Sequence, residues 1–344
     1  MNASAADRQN YAEYRIECAV GRFVPPIILV FGTFGNVMAI IIMRRKEFWS
    51  RKSAMPVLIT ALSVCDTVLL YTGLLRFLIS GLFNVDIRQA HFIMCKIHTW
   101  TVYATTFTDA WILAAMTIER TLSVVKPLKV HVIFTRRRAH YIVAGITLFF
   151  FAICAHILYG FDIRVNKQGA TRCMARDEDY DKFFLGAWAW FDLTMYCLIP
   201  ATVLITGNTV IIWRVKVSTR VSVSSGNTQH IHKQKIAFLS KALLLLSLVF
   251  LLSTLPISVM NVMELTLRQQ LTDPKNKARI SLVWKVTLIM MYMNNAVNFY
   301  MFCLSGSVFR RELKAVLTCK AEPETIAPQM PSKQRFTKTC TEGV

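Results

Sequence analysis

A small set of carboxylate and amide side chains interrupts otherwise apolar stretches of this sequence. Asp109 lies 14 residues after Cys95, Asp66 lies 14 residues before Ser80, and Asn294 lies 14 residues after Ile280, each measured from near one end of a long apolar stretch. Asn298 lies one helical turn beyond Asn294. At a rise of about 1.5 Å per residue, helices would carry the first three to the same depth of about 21 Å. We therefore expect these side chains to meet.

Carboxylates in an apolar interior are costly unless they hold a proton, water or an ion. Asp66 and Asp109, with the amide oxygens of Asn294 and Asn298, offer the hard oxygen ligands that Na⁺ prefers. A second interpretation is that one aspartate keeps its proton, because two adjacent carboxylates cannot both ionise cheaply. The sequence leaves a sodium site and a shared proton both open.

Arg120 is a positive charge in one of the same stretches. It follows Asp109 by 11 residues, which at about 100° per residue is three turns plus about 20°, so both lie on one helix face about 16 Å apart. Arg120 then reaches the inner end of the stretch, where the neighbouring Glu119 can restrain its guanidinium group. The alternative is a solvated helix end from which the arginine side chain extends to water.

Long apolar helices are the elements that must position these residues. Of the 344 residues 54% are hydrophobic and 17% charged, and the mean hydropathy is +0.42, which is rare for a soluble protein. The sequence predicts an all-α membrane protein, a seven-transmembrane helix bundle without the inverted repeats of transporters. Its predicted spans, each of at least about 20 residues, are 23–43, 54–80, 93–125, 139–160, 184–213, 242–265 and 280–303.

The net charge of +20 is distributed unevenly along the chain. With seven spans and an amino terminus outside, nearly all of the excess falls in the inner segments, including the basic runs 44–46 and 136–138. This is the positive-inside pattern, and it makes nucleic-acid binding unnecessary as an explanation. We expect a multi-pass plasma-membrane protein with an extracellular amino terminus, whose polar residues 1–22 contain no cleavable signal peptide.

Three of the nine cysteines fall on the predicted outer, oxidising side. Cys95 opens the third span and Cys173 lies in the loop 161–183, so a disulfide between them would hold that loop over the bundle. Two free thiols are the alternative, and Cys18 is left over in either case. Asn2, within Asn-Ala-Ser, is a predicted glycosylation acceptor on the same side.

Motifs in their order along the chain resemble the rhodopsin-like (class A) family of G-protein-coupled receptors, and within it invertebrate neuropeptide receptors. The matching positions are Gly35-Asn36-Val37, Leu62 to Asp66, Cys95, Glu119-Arg120-Thr121, Pro200, Phe250, Pro256, Asn294 to Phe302 and Phe309-Arg310. The resemblance implies a receptor rather than an enzyme. It also implies that an extracellular ligand shifts a helix-packing equilibrium, releases Arg120 and opens an inner cleft for a heterotrimeric G protein.

Several positions depart from the family pattern. Thr254 stands where the family usually has Trp in the sixth span, Asn208 where it has Tyr in the fifth, and Phe299 and Phe302 replace the Pro and Tyr of the seventh. Phe302 lacks the hydroxyl group that makes water-bridged contacts in active family members, so we expect unusual activation. The predicted switch and G-protein coupling residues are Glu119, Arg120, Asn298 and Phe302.

The outer ends of the spans suggest the ligand. Val102 stands where amine receptors have Asp and Tyr292 where opsins have the Schiff-base Lys, so we expect neither an amine nor retinal. Mixed charges and aromatic rings suit the end of a peptide, although such rings also serve packing alone and Arg76 could be a helix-end residue that extends to water. The predicted ligand-binding residues are Arg76, Phe77, His98, Val102, Trp188, Asp192, Glu264, Trp284 and Tyr292.

The carboxyl-terminal part of the chain is predicted to lie inside the cell. Residues 307–319 place apolar and basic side chains on opposite faces, as in an interfacial amphipathic helix that contacts membrane lipid. Cys319 is a candidate for palmitoylation, the alternative being an unmodified thiol. The tail is predicted to be disordered. The resemblance to the receptor family implies that phosphorylation of the tail by a receptor kinase would recruit arrestin. The predicted divisions are 1–22, 23–303 and 304–344.

Other functions stay open beside the peptide receptor. A receptor for a non-peptide chemosensory ligand would have the same fold. A cation or proton transporter also needs buried acids, but would show helix breaks, and the chain has only 13 Gly and 10 Pro. An intramembrane aspartyl protease could use Asp66 and Asp109, but the Gly-x-Gly-Asp stretch of that family is absent. We expect no cofactor other than an allosteric Na⁺.

Overall fold

Long helices make up most of the chain. The computed structural model describes residues 11–45, 54–165, 169–221, 227–270, 273–305 and 307–318. Within these ranges six helical segments are long and apolar enough to cross a membrane: Ala12–Met43, Met55–Phe83, Arg136–Gly160, Glu178–Arg214, Leu244–Arg268 and Pro274–Leu304. This finding supports six of the seven predicted spans.

We number the elements along the chain. The helices are α1 (Ala12–Met43), α2 (Met55–Leu69), α3 (Leu75–Phe83), α4 (Phe92–Val125), α5 (Pro127–Ile133), α6 (Arg136–Ile153), α7 (His156–Gly160), α8 (Glu178–Phe183), α9 (Ala189–Asp192), α10 (Ile199–Val221), α11 (Asn227–Gln270), α12 (Pro274–Ser305) and α13 (Ser307–Leu317). Two short strands, β1 (Phe161–Val165) and β2 (Thr171–Ala175), pair antiparallel.

Three π-helical turns join neighbouring helices within the bundle. They lie between α2 and α3 (Leu70–Leu74), between α8 and α9 (Phe184–Trp188) and between α9 and α10 (Leu193–Leu198). A π-turn contains one residue more than an α-helical turn. It therefore changes the direction in which the side chains after it point. The faces of α3, α9 and α10 therefore cannot be deduced by counting α-helical turns from the start of each segment.

The helix α4 is the remaining predicted span, and it lies at the centre of the bundle. It contains 34 residues, but its threonines, its aromatic residues with polar atoms and Asp109 make it less apolar than the six segments above. It packs against α2, α6 and α10. The indole of Trp100 donates to the Phe151 carbonyl oxygen at 2.9 Å, and that of Trp111 donates to the Met195 carbonyl oxygen at 2.8 Å.

The helices α1 and α12 pack closely along their lengths. A Cβ atom on Gly32 would lie 2.9 Å from the Cβ of Ala296 and 2.5 Å from Leu70, so only a glycine permits this approach. The Nδ2 of Asn36 donates to the Asn295 carbonyl oxygen at 3.2 Å. The first and last crossings of the bundle are thus tied by both shape and a buried hydrogen bond.

A disulfide closes one end of the bundle. Cys95, in the first turn of α4, is bonded to Cys173 in β2 with a Cα–Cα distance of 5.5 Å, as predicted. The hairpin of β1 and β2 is thereby held beside the start of α4. Cys18 is a free, exposed thiol. We call this end of the bundle the disulfide end and the opposite one, where α4 finishes, the Arg120 end.

Two helices have ends near or within the predicted terminal segments, and two predicted modification sites lie outside the described residues. The helix α1 begins at Ala12, within the segment 1–22, and an ion pair of Glu13 with Arg279 at 3.2 Å fixes its first turn to α12. The helix α13 ends at Leu317. Asn2 and Cys319, predicted for glycosylation and palmitoylation, are not among the residues described.

Candidate ligand-binding cavity and buried carboxylate pair

A cavity of about 440 Å³ opens between the helices at the disulfide end. Residues of α3, α4, α9, α11 and α12 line it, together with Arg88 of the loop before α4 and Tyr196 of the π-helical turn between α9 and α10. Eight of the nine predicted ligand-binding residues are among them: Arg76, Phe77, His98, Val102, Asp192, Glu264, Trp284 and Tyr292. The ninth, Trp188, lines an adjoining side pocket of about 50 Å³.

One wall of the cavity carries two arginines that share a single carboxylate. Arg76 donates to both oxygens of Asp86, from Nε at 2.9 Å and from Nη2 at 3.0 Å. Arg88 forms an ion pair with the same carboxylate at 2.9 Å, and its backbone N–H donates to it at 3.1 Å. Arg76 is thus not a helix-end residue that extends to water, because its guanidinium group is fixed beside Asp86.

The pKa of Asp86 reflects this arrangement. Partial burial of the carboxyl group raises its pKa, but the hydrogen bonds and charges of Arg88 and Arg76 outweigh burial and hold the pKa well below its ordinary value. Asp86 is therefore a carboxylate throughout the physiological pH range. Two guanidinium groups and one carboxylate leave a net positive charge on this wall.

Carboxylates from α9 and α11 form another wall. Asp192 is 4% exposed, and its Oδ2 accepts a hydrogen bond from the Nδ2 of Asn261 at 3.1 Å. Glu264 is paired with Arg268 one turn later, at 3.0 Å. The cavity therefore presents basic groups from α3 and the loop after it, and acidic groups from α9 and α11.

Aromatic rings fill the space between the charged walls. Tyr292 lies against Phe77, with ring centroids 6.1 Å apart, and its hydroxyl occupies the gap left by the missing side chain of Gly73. A Cβ atom on Gly73 would lie 2.0 Å from that oxygen, so the glycine sets the position of the ring. His98 lies one helical turn before Val102, and its Nε2 contacts the Thr72 carbonyl oxygen at 2.9 Å.

A second compartment of about 340 Å³ adjoins the first. The two share Phe77, Glu264, Trp284 and Leu288, and Lys285 lines the second one only. The Nζ of Lys285 lies 5.2 Å from the centre of the Phe77 ring. A ligand longer than the first cavity has room to continue between α1, α11 and α12.

Several lining residues were not predicted from the sequence. Arg88 lies on a loop, where helix counting gives no signal, and Asn261 lies three residues before the predicted Glu264 on the same face of α11. Tyr103 follows Val102 directly. A count of whole helical turns along α4 from Asp109 reaches Val102 and misses Tyr103. The predictable signal for Asn261 was its helical spacing from Glu264.

The predicted carboxylate pair lies deeper in the bundle. Asp66 on α2 and Asp109 on α4 are both buried, at 0% and 3% exposure, and both accept from one amide, the Nδ2 of Asn295, at 2.9 Å and 3.4 Å. Asn298 donates to the second oxygen of Asp66 at 2.8 Å. The prediction that the two aspartates and Asn298 lie together thus agrees with their positions in the bundle.

Asn294 occupies a different position from the one expected. It is buried, but the amide between the two carboxylates belongs to Asn295, the next residue along α12. Depth along a helix changes by only about 1.5 Å between neighbours, whereas the direction of the side chain changes by about 100°. Counting residues along α12 therefore predicts the depth of the amide in the bundle, but it does not predict which face of the helix carries it.

The carboxylate pair has the chemistry of a site for a small cation. The Oδ1 of Asp109 is buried and accepts no hydrogen bond from an amide or hydroxyl group in the described ranges, and the Asp66 and Asp109 carboxyl groups lie within hydrogen-bonding reach of each other. A monovalent cation or a proton would satisfy this oxygen, and carboxylates are ligands that Na⁺ accepts. Among the described residues, no three His, Cys, Asp or Glu side chains cluster as a transition-metal site would require.

The predicted switch residues occupy two separate places. At the Arg120 end, the Nε of Arg120 lies 3.1 Å from the Oε2 of Glu119. Phe302 on α12 is buried and packs on Phe309 of α13, with ring centroids 5.8 Å apart. Asn298 is bound to Asp66, as described above.

The helix α13 is fixed against the end of the bundle. Phe309 also contacts Phe299, with ring centroids 5.6 Å apart, and the Nε of Arg45 pairs with Glu312 at 2.8 Å. These contacts join α13 to α12 and to the residues after α1. A movement of α12 therefore reaches α13 through the buried Phe299, Phe302 and Phe309 rings.

Comparisons with known proteins agree with this architecture. Residues 35–298 match the family model of the 7 transmembrane receptor (rhodopsin family). The FMRFamide receptor of Drosophila melanogaster is 24% identical over 325 residues, which cover 86% of this chain and 53% of that receptor, so the chain spans about half the length of this relative. The Cysteinyl leukotriene receptor 1 of Homo sapiens is 22% identical over 306 residues, 88% of this chain and 86% of that receptor.

The chain belongs to the rhodopsin family of seven-transmembrane receptors, since the family model covers most of its length. This is a family of multi-pass membrane receptors. The resemblance drawn from Glu119-Arg120 and the seventh-span residues is thereby confirmed.

Proposed function

We propose that the protein is a plasma-membrane receptor for an extracellular peptide and that it activates heterotrimeric G proteins. The observation that carries the proposal is the cavity of about 440 Å³ with basic and acidic walls and aromatic rings between them. Peptides offer charges of both signs and apolar side chains, which such a cavity accommodates. The similarity to an FMRFamide receptor adds support.

The proposed topology has seven crossings with the amino terminus outside. The helix α4, the third crossing along the chain, completes the seven, and its polar residues face other helices: Asp109 is 3% exposed and Thr108 is 1% exposed. The helix α13 then lies along the inner membrane surface. Arrestin and a receptor kinase would bind the segment that follows it, beyond the described residues.

The proposed switch connects the cavity to the Arg120 end. A ligand shifts the helix packing only by its different affinity for the two arrangements. In the resting arrangement Glu119 restrains Arg120 at 3.1 Å, and Phe302 holds α12 against α13. Activation would separate both contacts and open a cleft for the G protein.

A sodium ion between Asp66 and Asp109 is the proposed regulator of this switch. The buried, unsatisfied Oδ1 of Asp109 supports it. Asp109→Asn would remove one charge from the site, and we expect the dependence of agonist binding on sodium concentration to weaken. An agonist titration in NaCl against N-methylglucamine chloride measures this dependence, and unchanged sodium sensitivity in the variant would instead favour the shared proton.

A non-peptide ligand is the second candidate, because the human relative is named for a leukotriene. The second compartment supports this candidate, since Lys285 and the apolar Ile280 and Leu267 line it together. An acidic lipid would place its carboxylate at Lys285. A polytopic transporter is less well supported, because the family consists of receptors.

A guanine-nucleotide exchange assay separates these candidates. Membranes containing the receptor and purified G proteins are exposed to pooled amidated peptides and, separately, to pooled carboxylate lipids. We expect exchange to accelerate with peptide pools. Acceleration by lipid pools alone would identify the second candidate, and no acceleration by either would contradict both.

A further inference from the structure

The carboxylates around the cavity are paired unequally. Asp86 has two arginine partners, and Glu264 has Arg268. Asp192 accepts a hydrogen bond only from a neutral amide, that of Asn261, and within the described ranges no Lys, Arg or His side chain forms an ion pair with it. Asp192 is therefore the acidic group of the cavity that still lacks a cationic partner.

Burial makes this inequality energetically important. Asp192 is 4% exposed, yet it lines both the main cavity and the side pocket beside Trp188. A carboxylate removed from water loses hydration that one amide hydrogen bond replaces only in part. A cation that enters the cavity would compensate for the lost hydration of this carboxylate. Their attraction would be strong, because charges interact strongly away from water.

The wall formed by Arg76 and Arg88 has the complementary chemistry. The two guanidinium groups share the Asp86 carboxylate, so one positive charge is not neutralised there. Guanidinium groups only donate hydrogen bonds, and this wall therefore binds an oxygen acceptor. The acidic and basic groups come from different helices, α9 and α3, and so differ in position around the cavity.

We infer that the ligand is dipolar: a guanidinium or ammonium group of the ligand pairs with the Asp192 carboxylate, while a carbonyl or carboxylate oxygen of the same ligand faces Arg76 and Arg88. This inference rests on the proposed peptide-receptor function and names the ligand groups that the cavity selects. It also gives Asp192 the main part in selectivity, because a neutral isostere of the cation would leave this carboxylate unpaired.

The test uses matched probes that differ only in charge. Two pools of amidated pentapeptides are prepared, one with arginine and the other with citrulline, its neutral near-isostere, at the same positions. Potency in nucleotide exchange is measured with the wild-type receptor, with Asp192→Asn and with Asp162→Asn. The last variant is a matched control, because Asp162 is a carboxylate in β1 that pairs with Lys96 at 3.6 Å, away from the cavity lining.

We expect the wild-type receptor to respond to the arginine pool at a concentration at least about 30-fold lower than to the citrulline pool, the scale of losing one partner of a buried charge pair. Asp192→Asn should abolish this preference and Asp162→Asn should retain it. The citrulline pool serves as the control for folding. A variant that folds poorly responds more weakly to both pools, whereas loss of the charge pair weakens only the response to the arginine pool. Measurable and equal wild-type responses to the two pools, or a preference that survives Asp192→Asn, would overturn the inference.

A binding measurement separates this inference from the proposed function. If neither pool accelerates exchange, the peptide function is contradicted, and the pairing is then tested by thermal unfolding of the purified receptor with arginine amide or citrulline amide. Stabilisation by arginine amide alone, lost in Asp192→Asn, supports the pairing. Equal stabilisation by both amides, or none by either, overturns it.

Discussion

The cavity and the carboxylate pair both bury acidic side chains, but their partners differ. Both oxygens of Asp66 accept amide hydrogen bonds from α12, at 2.9 Å and 2.8 Å. Asp192 accepts one, and it lines the cavity. The degree of burial is nearly the same in the two places. The number of partners, rather than burial, separates Asp66, which joins α2 to α12, from Asp192, which is available to a ligand.

Among the changes near the cavity, we expect removal of the disulfide to have the largest effect. Replacing Cys95 and Cys173 by Ala removes a link between residues 78 apart in sequence, for which we expect a loss of about 4 kcal/mol in unfolding free energy. Potency should fall as well, because the hairpin is no longer held beside the cavity. Thermal unfolding and nucleotide exchange measure the two effects.

Cys18→Ala is the control for this prediction, since Cys18 is exposed and free. It should leave stability and potency unchanged. A double variant at Cys95 and Cys173 with wild-type potency would show that the cavity keeps its shape without the covalent link.

Gly73→Ala should alter the shape of the cavity by displacing Tyr292. The new Cβ atom would lie 2.0 Å from the Tyr292 hydroxyl oxygen and 2.5 Å from the ring, so Tyr292 must move. Overpacking of this kind costs about 1–3 kcal/mol, and we expect agonist potency to fall by about tenfold or more. Agonist titration and thermal unfolding measure the outcome.

Gly145→Ala, in α6, is the matched control for Gly73→Ala. Nothing lies within 4 Å of a Cβ atom at Gly145, so the same substitution there should be neutral or slightly stabilising. Equal potency of the two variants would mean that Tyr292 does not shape the cavity.

Asn295→Ala tests the carboxylate side. It removes the amide that Asp66 and Asp109 share, and we expect a loss of about 1–3 kcal/mol in unfolding free energy together with altered sodium sensitivity. Asn294→Ala, at a buried neighbour without these bonds, should have a smaller effect on sodium sensitivity. The reverse order of the two effects would mean that Asn294, and not Asn295, contacts the carboxylates.

The smallest expected effect concerns pH at the basic wall. The pKa of Asp86 is lowered in the folded protein, so its pairing with Arg76 and Arg88 stabilises the fold above the unfolded pKa of about 3.9 and is lost as pH falls below it. The difference in unfolding free energy between wild type and Asp86→Asn should be constant from about pH 5 to 8 and shrink below about pH 4. We expect about 1 kcal/mol at most.

Thermal unfolding over this pH range measures the Asp86 contribution. Asp179→Asn serves as the control, because its carboxylate is exposed and only 3.7 Å from Lys182 in a solvated pair. A wild-type advantage over Asp86→Asn that grows on acidification would have the wrong sign and contradict the pairing.

Much of the bundle was predictable because hydropathy and helical rise act locally. Six spans follow from apolar composition, and the level of Asp66 and Asp109 follows from a constant rise per residue. The Cys95–Cys173 bond followed from placing both thiols on one side. Partners on loops were not predictable, because the bond of Asp86 to Arg76 depends on how the chain turns between α3 and α4.

The sequence by itself determined the family, the helical spans and the depth of the polar residues, since each depends on residue type and distance along one helix. Only the tertiary structure decided the rotation of each helix about its axis, which π-turns and close packing change by tens of degrees. That rotation brings Asn295 rather than Asn294 between the carboxylates. It also leaves Asp192 at a cavity without a cationic partner, where a ligand can provide one.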